Sequence, residues 1–463
     1  MKRFWLCFTT ALLVVLTGCG KDSRSDDMSA TGITGPGISG TDAASDDDDD
    51  DSDDDDDDDG PKLDVAGGND GAGDEAGEDC DPAAPNATLT GTVYAPNLEI
   101  PISGALVYYT PDEPEGIPDE TYCAECVGVP CNSNFVLSNP DGSFELPANT
   151  GSYNLVVTKG QFMRSTPIEI TEGDNQIAPA DSSLPGRWAP DNGEWIPRIA
   201  VVQTDTDAIH DILAKIGMGD VANGALVNGS ETFDVYDQPS GGALLDDLDA
   251  MRDYHIIFVP CLANTGMGPL TQLRIENIRQ WVEDGGKWYV TDWSNEYLYD
   301  VFPNYQTMHE DPIWGGPDLD YYDTTGTVLD PDLLAWLEAL PMPLKDIGGG
   351  NPNLLSLPTV DLVDNWSGID AIPSIIVQDE EGNDVDVGHH PWVEGPCLAC
   401  SPSDTRPMTV SAQYGCGRMM FSTYHTAEFS HEGLTPQELI LLYIILEIGV
   451  CHEQTPPPPP PEG

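Results

Sequence analysis

Residues His255 to Trp293 read HIIFVPCLANTGMGPLTQLRIENIRQWVEDGGKWYVTDW. At either end lies a short, nearly continuous apolar run, His255 to Val259 and Lys287 to Thr291, rich in β-branched and aromatic residues. Runs of this kind are strands buried on both faces, because a strand with one wet face alternates apolar with polar. Between them, Leu270 to Val282 places apolar residues at helical spacing and stops at Gly285-Gly286. A strand, a helix and a strand in this order form a right-handed crossover between parallel neighbours. The alternation continues outward in both directions. Arg198 to Gln203 and Phe233 to Tyr236 read as strands, and Asp207 to Ile216 and Ala243 to Met251 as helices. On the far side, Arg418 to Tyr424 is a strand and Pro436 to Ile448 a closing helix. Residues 198–452 are therefore expected to form an α/β domain, with Tyr297 to Met408 supplying long loops and an extra strand or two.

The chain has 463 residues, with 17 Lys and Arg against 81 Asp and Glu, a formal net charge of −64. That balance excludes nucleic acid as a partner, since phosphates are neutralised by a basic face. The eleven cysteines suit an oxidising compartment. Residues 1–18 read as a secretory signal: Lys2 and Arg3, then an apolar run from Phe4 to Leu16. The run is too short to anchor across an apolar layer of about 30 Å. It ends in Leu16-Thr17-Gly18-Cys19, which resembles the lipobox of bacterial lipoproteins. The resemblance implies lipidation of Cys19 and attachment to the membrane through that lipid. Gly20 in place of Asp favours the outer membrane or cell surface.

Residues 19–86 are expected to be a disordered tether. Asp46 to Asp51 and Asp53 to Asp59 are broken only by Ser52, and Gly20 to Asn86 contains no aromatic residue. Such a segment buries too little apolar area to offset the entropy of ordering. Self-repulsion stretches it beyond the roughly 45 Å of a flexible coil of its length. The remainder is acidic in its own right, as expected of a surface suited to salty surroundings.

From Ala87 to about Ile177, short β-rich runs alternate with turns: Thr88 to Tyr94, Ala105 to Tyr109, Asn134 to Leu137, Ser143 to Leu146, Tyr153 to Thr158 and Ile168 to Ile170. Asn139-Pro140-Asp141-Gly142 is a strong turn signal. This pattern predicts an all-β sandwich over residues 87–180, with a Pro-rich linker at 181–197. The residues Gly91-Thr92-Val93, Pro101 to Val107, Asp141 to Phe144 and Gly151-Ser152-Tyr153 resemble the carboxypeptidase regulatory-like family. That resemblance implies a transthyretin-like sandwich with an accessory, non-catalytic role.

The α/β half resembles the class I glutamine amidotransferase-like superfamily and its trehalose-utilisation-protein-like members. The resemblance is carried by His255 to Cys261, Gly285 to Trp293 and Ser422-Thr423-Tyr424-His425. Arg198 to Gly217 with these segments also looks like secreted two-domain proteins of myxobacteria. A flavodoxin-like sheet is implied. Ligands of open α/β sheets bind beyond the carboxyl ends of the strands. That edge should gather Asp205, Asp207, Asp292 and Trp293 as ligand-binding residues, and Cys261, His425 and Glu428 as a nucleophile, a base and an orienting carboxylate. The family's Gly-x-Cys-x-Gly elbow is absent: Pro260 and Leu262 flank Cys261. Its His-Pro-Glu is replaced by His425-Thr426-Ala427-Glu428.

The leading expectation is a non-catalytic binding or scaffolding protein of the cell envelope, with carbohydrate or another envelope protein as partner. The alternative is a cysteine hydrolase of amides. No cofactor and no metal site are expected, and His389-His390 reads as a surface pair. Among the cysteines, Cys80, Cys123, Cys126 and Cys131 should form two disulfides. A final strand and helix of similar length should bring Cys451 back to Cys416 for a third bond. Cys397 and Cys400 read as a pair closed on itself, leaving Cys261 as the odd thiol. Residues 453–463 read as a stiff Pro-rich tail.

Overall fold

In a computed structural model of the chain, residues 84–124, 134–311, 315–379, 382–429, 431–447 and 459 are described. The expected signal, the Asp-rich tether up to residue 83, Cys19, Cys80, Cys126, Cys131, Cys451 and nearly all of the tail lie outside them.

The first six β strands overlap the six expected runs, the sixth being three times as long as read, and two further strands follow where none is expected. They are β1 (Ala87–Thr92), β2 (Leu106–Thr110), β3 (Phe135–Leu137), β4 (Ser143–Ala148), β5 (Gly151–Lys159), β6 (Phe162–Ile170), β7 (Gly173–Gln176) and β8 (Glu194–Trp195). They make a three-stranded sheet, β4-β1-β7, and a five-stranded sheet, β3-β2-β5-β6-β8. Along β1 every second residue is buried, as a strand with one face on a core requires. The Asn139 to Gly142 turn forms as expected, with Gly142 at φ 76° and its N–H donating to the Asn139 carbonyl at 2.7 Å.

The expected linker is not a free connection. β8 pairs with β6, Trp195 is buried, and Glu194 receives both Arg164 at 2.8 Å and Arg187 at 2.8 Å.

The second half begins with β9 (Ile199–Val202), a small ribbon of β10 (Val221–Ala222) and β11 (Ala225–Leu226), and β12 (Asp234–Tyr236). It continues with β13 (Ile256–Val259) and β14 (Lys287–Thr291). The residues between 297 and 408 hold far more than one or two strands. They contain β15 (Thr307–Met308), β16 (Tyr322–Val328), β17 (Thr359–Asn365), β18 (Ile369–Ala371), β19 (Ile376–Gln378), β20 (Asp384–Asp386) and β21 (His390–Pro396), leading into β22 (Thr405–Tyr414) and β23 (Gly417–Ser422). The main sheet has nine strands in the order β12-β9-β13-β14-β23-β22-β21-β16-β17. Its first five strands are parallel and in the order second-first-third-fourth-fifth, a common doubly wound order. The other four continue it as an antiparallel extension.

Helix Gln272–Glu283 shows why the crossover folds as read. Thr271 caps it by accepting the Arg274 N–H, and Arg274, Asn277, Ile278, Trp281 and Val282 recur at helical spacing on its buried face. The expected helix Ala243 to Met251 is two helices, Gln238–Leu245 and Leu248–Met251. It breaks because Asp247 adopts extended backbone and caps the second piece.

Helix Pro436–Glu447 is buried along its whole length, as an apolar sequence without a polar face demands. It helps join the two halves. Leu439 to Leu446 belong to one hydrophobic cluster with Leu89 and Val107 of the sandwich and Ile199 and Phe258 of the sheet. Lys159 of β5 meets Glu447 at 2.7 Å, and the Trp336 indole donates to the Pro101 carbonyl at 2.7 Å. No helix among the described residues is long and apolar enough to cross a membrane.

The disulfides correct the expected pairing. Cys416 is bonded to Cys123, not to Cys451, so Cys123 does not join the three other N-terminal cysteines either. The cause lies in Thr121 to Cys123, in the stretch after β2, which pack against the α/β half. Thr121 donates its N–H to the Arg252 carbonyl at 2.8 Å and accepts the Trp281 indole N–H at 2.9 Å. A Cβ at Gly285, whose φ is 122°, would fall 2.1 Å from the Tyr122 carbonyl oxygen. Cys397 and Cys400 are bonded to each other as expected. His389 is also unlike its reading as a surface residue: it is buried, with Nε2 at 2.8 Å from the Gln306 side-chain oxygen.

Replacing Cys123 and Cys416 together by serine should lower unfolding stability by about 2–5 kcal/mol. Urea denaturation without reductant measures this, and a loss below about 0.5 kcal/mol would mean that the bond ties nothing together.

Candidate functional site

Three adjacent parallel strands, β13, β14 and β23, release their chains at one edge of the sheet. The first residues beyond them carry the chemistry. Cys261 follows Pro260 after β13, Asp292 directly follows β14, and His425 follows Tyr424 after β23. One donor atom from each of these three side chains lies within 4.8 Å of the other two. All three are buried, Cys261 at 2% exposure and the other two at zero.

Asp207, in the loop after β9, holds the edge together. Its Oδ2 accepts the Cys261 N–H at 3.2 Å and the Thr291 hydroxyl at 2.5 Å, and its Oδ1 accepts the Thr426 N–H at 3.2 Å. Asp207 is expected from sequence to bind ligand, but its carboxylate is spent on the protein's own strand ends. The Ser294 hydroxyl adds a bond to the Pro260 carbonyl at 2.6 Å.

The geometry does not form the expected nucleophilic relay. The His425 Nδ1 donates to the Thr426 carbonyl at 2.7 Å, so Nε2 carries the lone pair. That same nitrogen faces Asp292 Oδ2 at 3.8 Å and Glu428 Oε1 at 3.8 Å. Glu428 therefore does not orient the ring from the opposite nitrogen, as the third member of a triad does. Burial pushes the Cys261 thiol far above its ordinary range, and the negative charges of Asp292, Asp207 and Glu428 push the same way. The Cys261 N–H is already given to Asp207 and Thr291, at 3.2 and 2.8 Å, so it does not serve an oxyanion.

Asp292 is the most constrained member. Its φ is 50°, in the left-handed region, and neither carboxyl oxygen has a hydrogen-bond partner of normal geometry. Burial, then the charge of Asp207, raises its carboxyl well above the usual carboxylate range.

Asp205 is exposed and lies elsewhere, on the wall of a cleft of about 260 Å³ that opens beside Glu428. Lys215, His431 and Glu438 form the cleft's charged side, with Asp211 and Phe429 also on its wall. Sequence reasoning missed Lys215, His431 and Glu438, because no short spacing connects them. His431 donates through Nδ1 to the Phe429 carbonyl at 2.8 Å, and its Nε2 lies 2.8 Å from Glu438 Oε2 and 3.2 Å from Lys215 Nζ. Burial works against the imidazolium, but the Glu438 carboxylate outweighs it and the net shift is upward.

Trp293 follows Asp292 directly in the chain and does not line the cleft. Its indole donates to the Trp366 carbonyl at 3.0 Å and its ring meets the Trp366 ring edge-on at 4.7 Å. Tyr321, nearly half exposed, continues this aromatic group at 5.4 Å from Trp366.

No protein-family model matches the chain, and no curated protein matches it. Among solved structures, a ThuA-like protein from Bacteroides uniformis is similar at 10% identity and TM-score 0.33, over 54% of this chain and 89% of that one. A GMP synthase protein from Thermoplasma acidophilum is similar at 10% identity and TM-score 0.30, over 55% of this chain and 94% of that one. The family 42 β-galactosidase Gan42B is similar at 12% identity and TM-score 0.28, over 55% of this chain and 30% of its own. At these scores the likenesses carry no argument about residues or activity.

Two outcomes are expected here. Asp207→Asn turns an amide N–H toward backbone donors and should cost about 1–3 kcal/mol in urea unfolding. The second concerns pH. A histidine whose pKa is raised by folding stabilises fully below its unfolded pKa, and that stabilisation is lost as pH rises through the folded value. The wild type should therefore lose stability relative to Glu438→Gln as the pH is raised from about 6.5 through the folded value. Parallel melting curves of the two proteins across this range would contradict the pairing.

Proposed function

We propose that the protein is a lipid-anchored binding protein of the cell envelope, held by Cys19 at the outer membrane or cell surface and recognising carbohydrate through its α/β half. The α/β half is taken as flavodoxin-like and amidotransferase-like, and the sandwich as a carboxypeptidase regulatory-like accessory. The reading rests on one observation above all: the cleft at the carboxyl edge of the parallel strands, walled by Asp205, Asp211 and Glu428. Carboxylates that accept hydrogen bonds, set beside the Phe429 ring, suit a polyhydroxylated ligand, and the volume suits about one sugar unit. The exposed phenol ring of Tyr321 and the half-buried Trp293 extend the same edge.

The hydrolase alternative keeps one supporting observation, the closeness of Cys261 to His425. Against it stand the burial of the sulfur and the carboxylates around it, which disfavour a thiolate.

Two measurements test the reading on the full chain in detergent. Tryptophan fluorescence titrated with neutral oligosaccharides of the cell envelope should show saturable binding, weakened about tenfold or more in Asp205→Asn and Glu428→Gln, since a charged hydrogen bond is worth about 1.5–3 kcal/mol. Iodoacetamide should label Cys261 more slowly than an ordinary thiol of pKa about 8.5. Fast labelling below pH 7 that slows in His425→Ala, with no sugar binding, would replace the binding protein by the hydrolase.

A further inference from the structure

We propose that Cys261, Asp292 and His425 bind a divalent transition-metal ion of the zinc type, a site that borders the cleft at Glu428 but does not rest on the sugar-binding reading. Three buried polar atoms lack a full hydrogen bond, although Ser367 and the Trp366 backbone lie near the Asp292 carboxyl. His425 Nε2 and both Asp292 carboxyl oxygens are buried without a hydrogen bond of normal geometry. A buried polar atom left in this state costs free energy. A cation among one Asp292 oxygen, His425 Nε2 and the Cys261 sulfur would give the nitrogen and that oxygen a partner.

The donors suit such an ion in kind and in place. A thiolate, an imidazole and a carboxylate make a mixed sulfur, nitrogen and oxygen set of the kind that zinc accepts. An ion with bonds of about 2.0–2.3 Å in tetrahedral geometry holds its donors about 3.3–3.8 Å apart. His425 Nε2 and Asp292 Oδ2 already stand at 3.8 Å, and no pair in the trio exceeds 4.8 Å. Glu428 Oε1, 3.8 Å from the same nitrogen, is the nearest further donor.

The surroundings resemble the outer shell of a metal centre. A metal-bound histidine donates its other ring N–H to a carbonyl or carboxylate, which fixes the tautomer. Here Nδ1 donates to the Thr426 carbonyl at 2.7 Å. Asp207 fixes the backbone on both sides of the trio through the Cys261 and Thr426 amides. Binding is a simple exchange: the ion takes the sulfur lone pair, the S–H bond breaks, and the proton leaves to solvent. Thiolate and carboxylate then balance the two positive charges.

Cobalt(II) is the probe, because a thiolate bound to it gives a sulfur-to-metal charge-transfer band that carboxylates do not. Titrating the full chain, kept without reductant, should give this band with tetrahedral visible bands at one equivalent. Zinc should displace it, Cys261→Ser and His425→Gln should abolish it, and Asp205→Asn should leave it. A band that survives in Cys261→Ser would place the metal on another cysteine and overturn the proposal. So would metal uptake without the band, which would put the ion on surface carboxylates. Should the variants fail to fold, the wild type decides: stoichiometric zinc must protect Cys261 from alkylation and release a proton, and the absence of both contradicts the site.

Discussion

The carboxylate of Asp207 is the contact on which the edge of the sheet depends. It is fully buried and accepts from the chain after β13, from the last residue of β14 and from the chain after β23. A buried carboxylate is tolerated only when donors replace its water, and here the protein supplies three. In exchange, three chain segments that have left their hydrogen-bond ladders are held in register with one another. Cys261, Asp292 and His425 stand on those segments, so their closeness follows from Asp207 rather than from attraction among themselves.

A second constraint joins the halves of the chain. Helix Pro436–Glu447 has no polar face to offer water, so it must be covered on every side. The sheet covers part of it and the sandwich shares the same apolar cluster. The sandwich is therefore part of the support of the α/β half, not a bead on a linker. The Lys159–Glu447 pair at 2.7 Å and the Cys123–Cys416 bond fix the same relation from two other places. Glu428 and the cleft beside it stay open to solvent.

How much of this is legible in the sequence depends on the range of the signal. The buried runs His255 to Val259 and Lys287 to Thr291 declare the parallel strands, because burial on both faces leaves a local mark. The residues just beyond the strand ends are therefore also within reach, and Cys261, Asp292 and His425 all stand out. Their roles do not. Whether Glu428 reaches Nδ1 or Nε2 depends on the Thr426 carbonyl, a backbone atom that no residue spacing reveals. The four antiparallel strands of the extension are hidden because Pro, Gly and Asp are dense between Tyr297 and Met408, and such residues read as loops even where tertiary pairing overrides them. The Cys416 partner is hidden for a like reason: one strand and one helix point to Cys451, while the true partner arrives from a loop 293 residues away.

Crystals of the full chain grown with zinc, with diffraction recorded on both sides of the zinc absorption edge, test the account most directly. One anomalous peak is expected about 2.0–2.3 Å from the Cys261 sulfur, His425 Nε2 and an Asp292 oxygen, with the sulfur closed off from the cleft. A sulfur open to the cleft beside His425, with no peak among the three side chains, would contradict it.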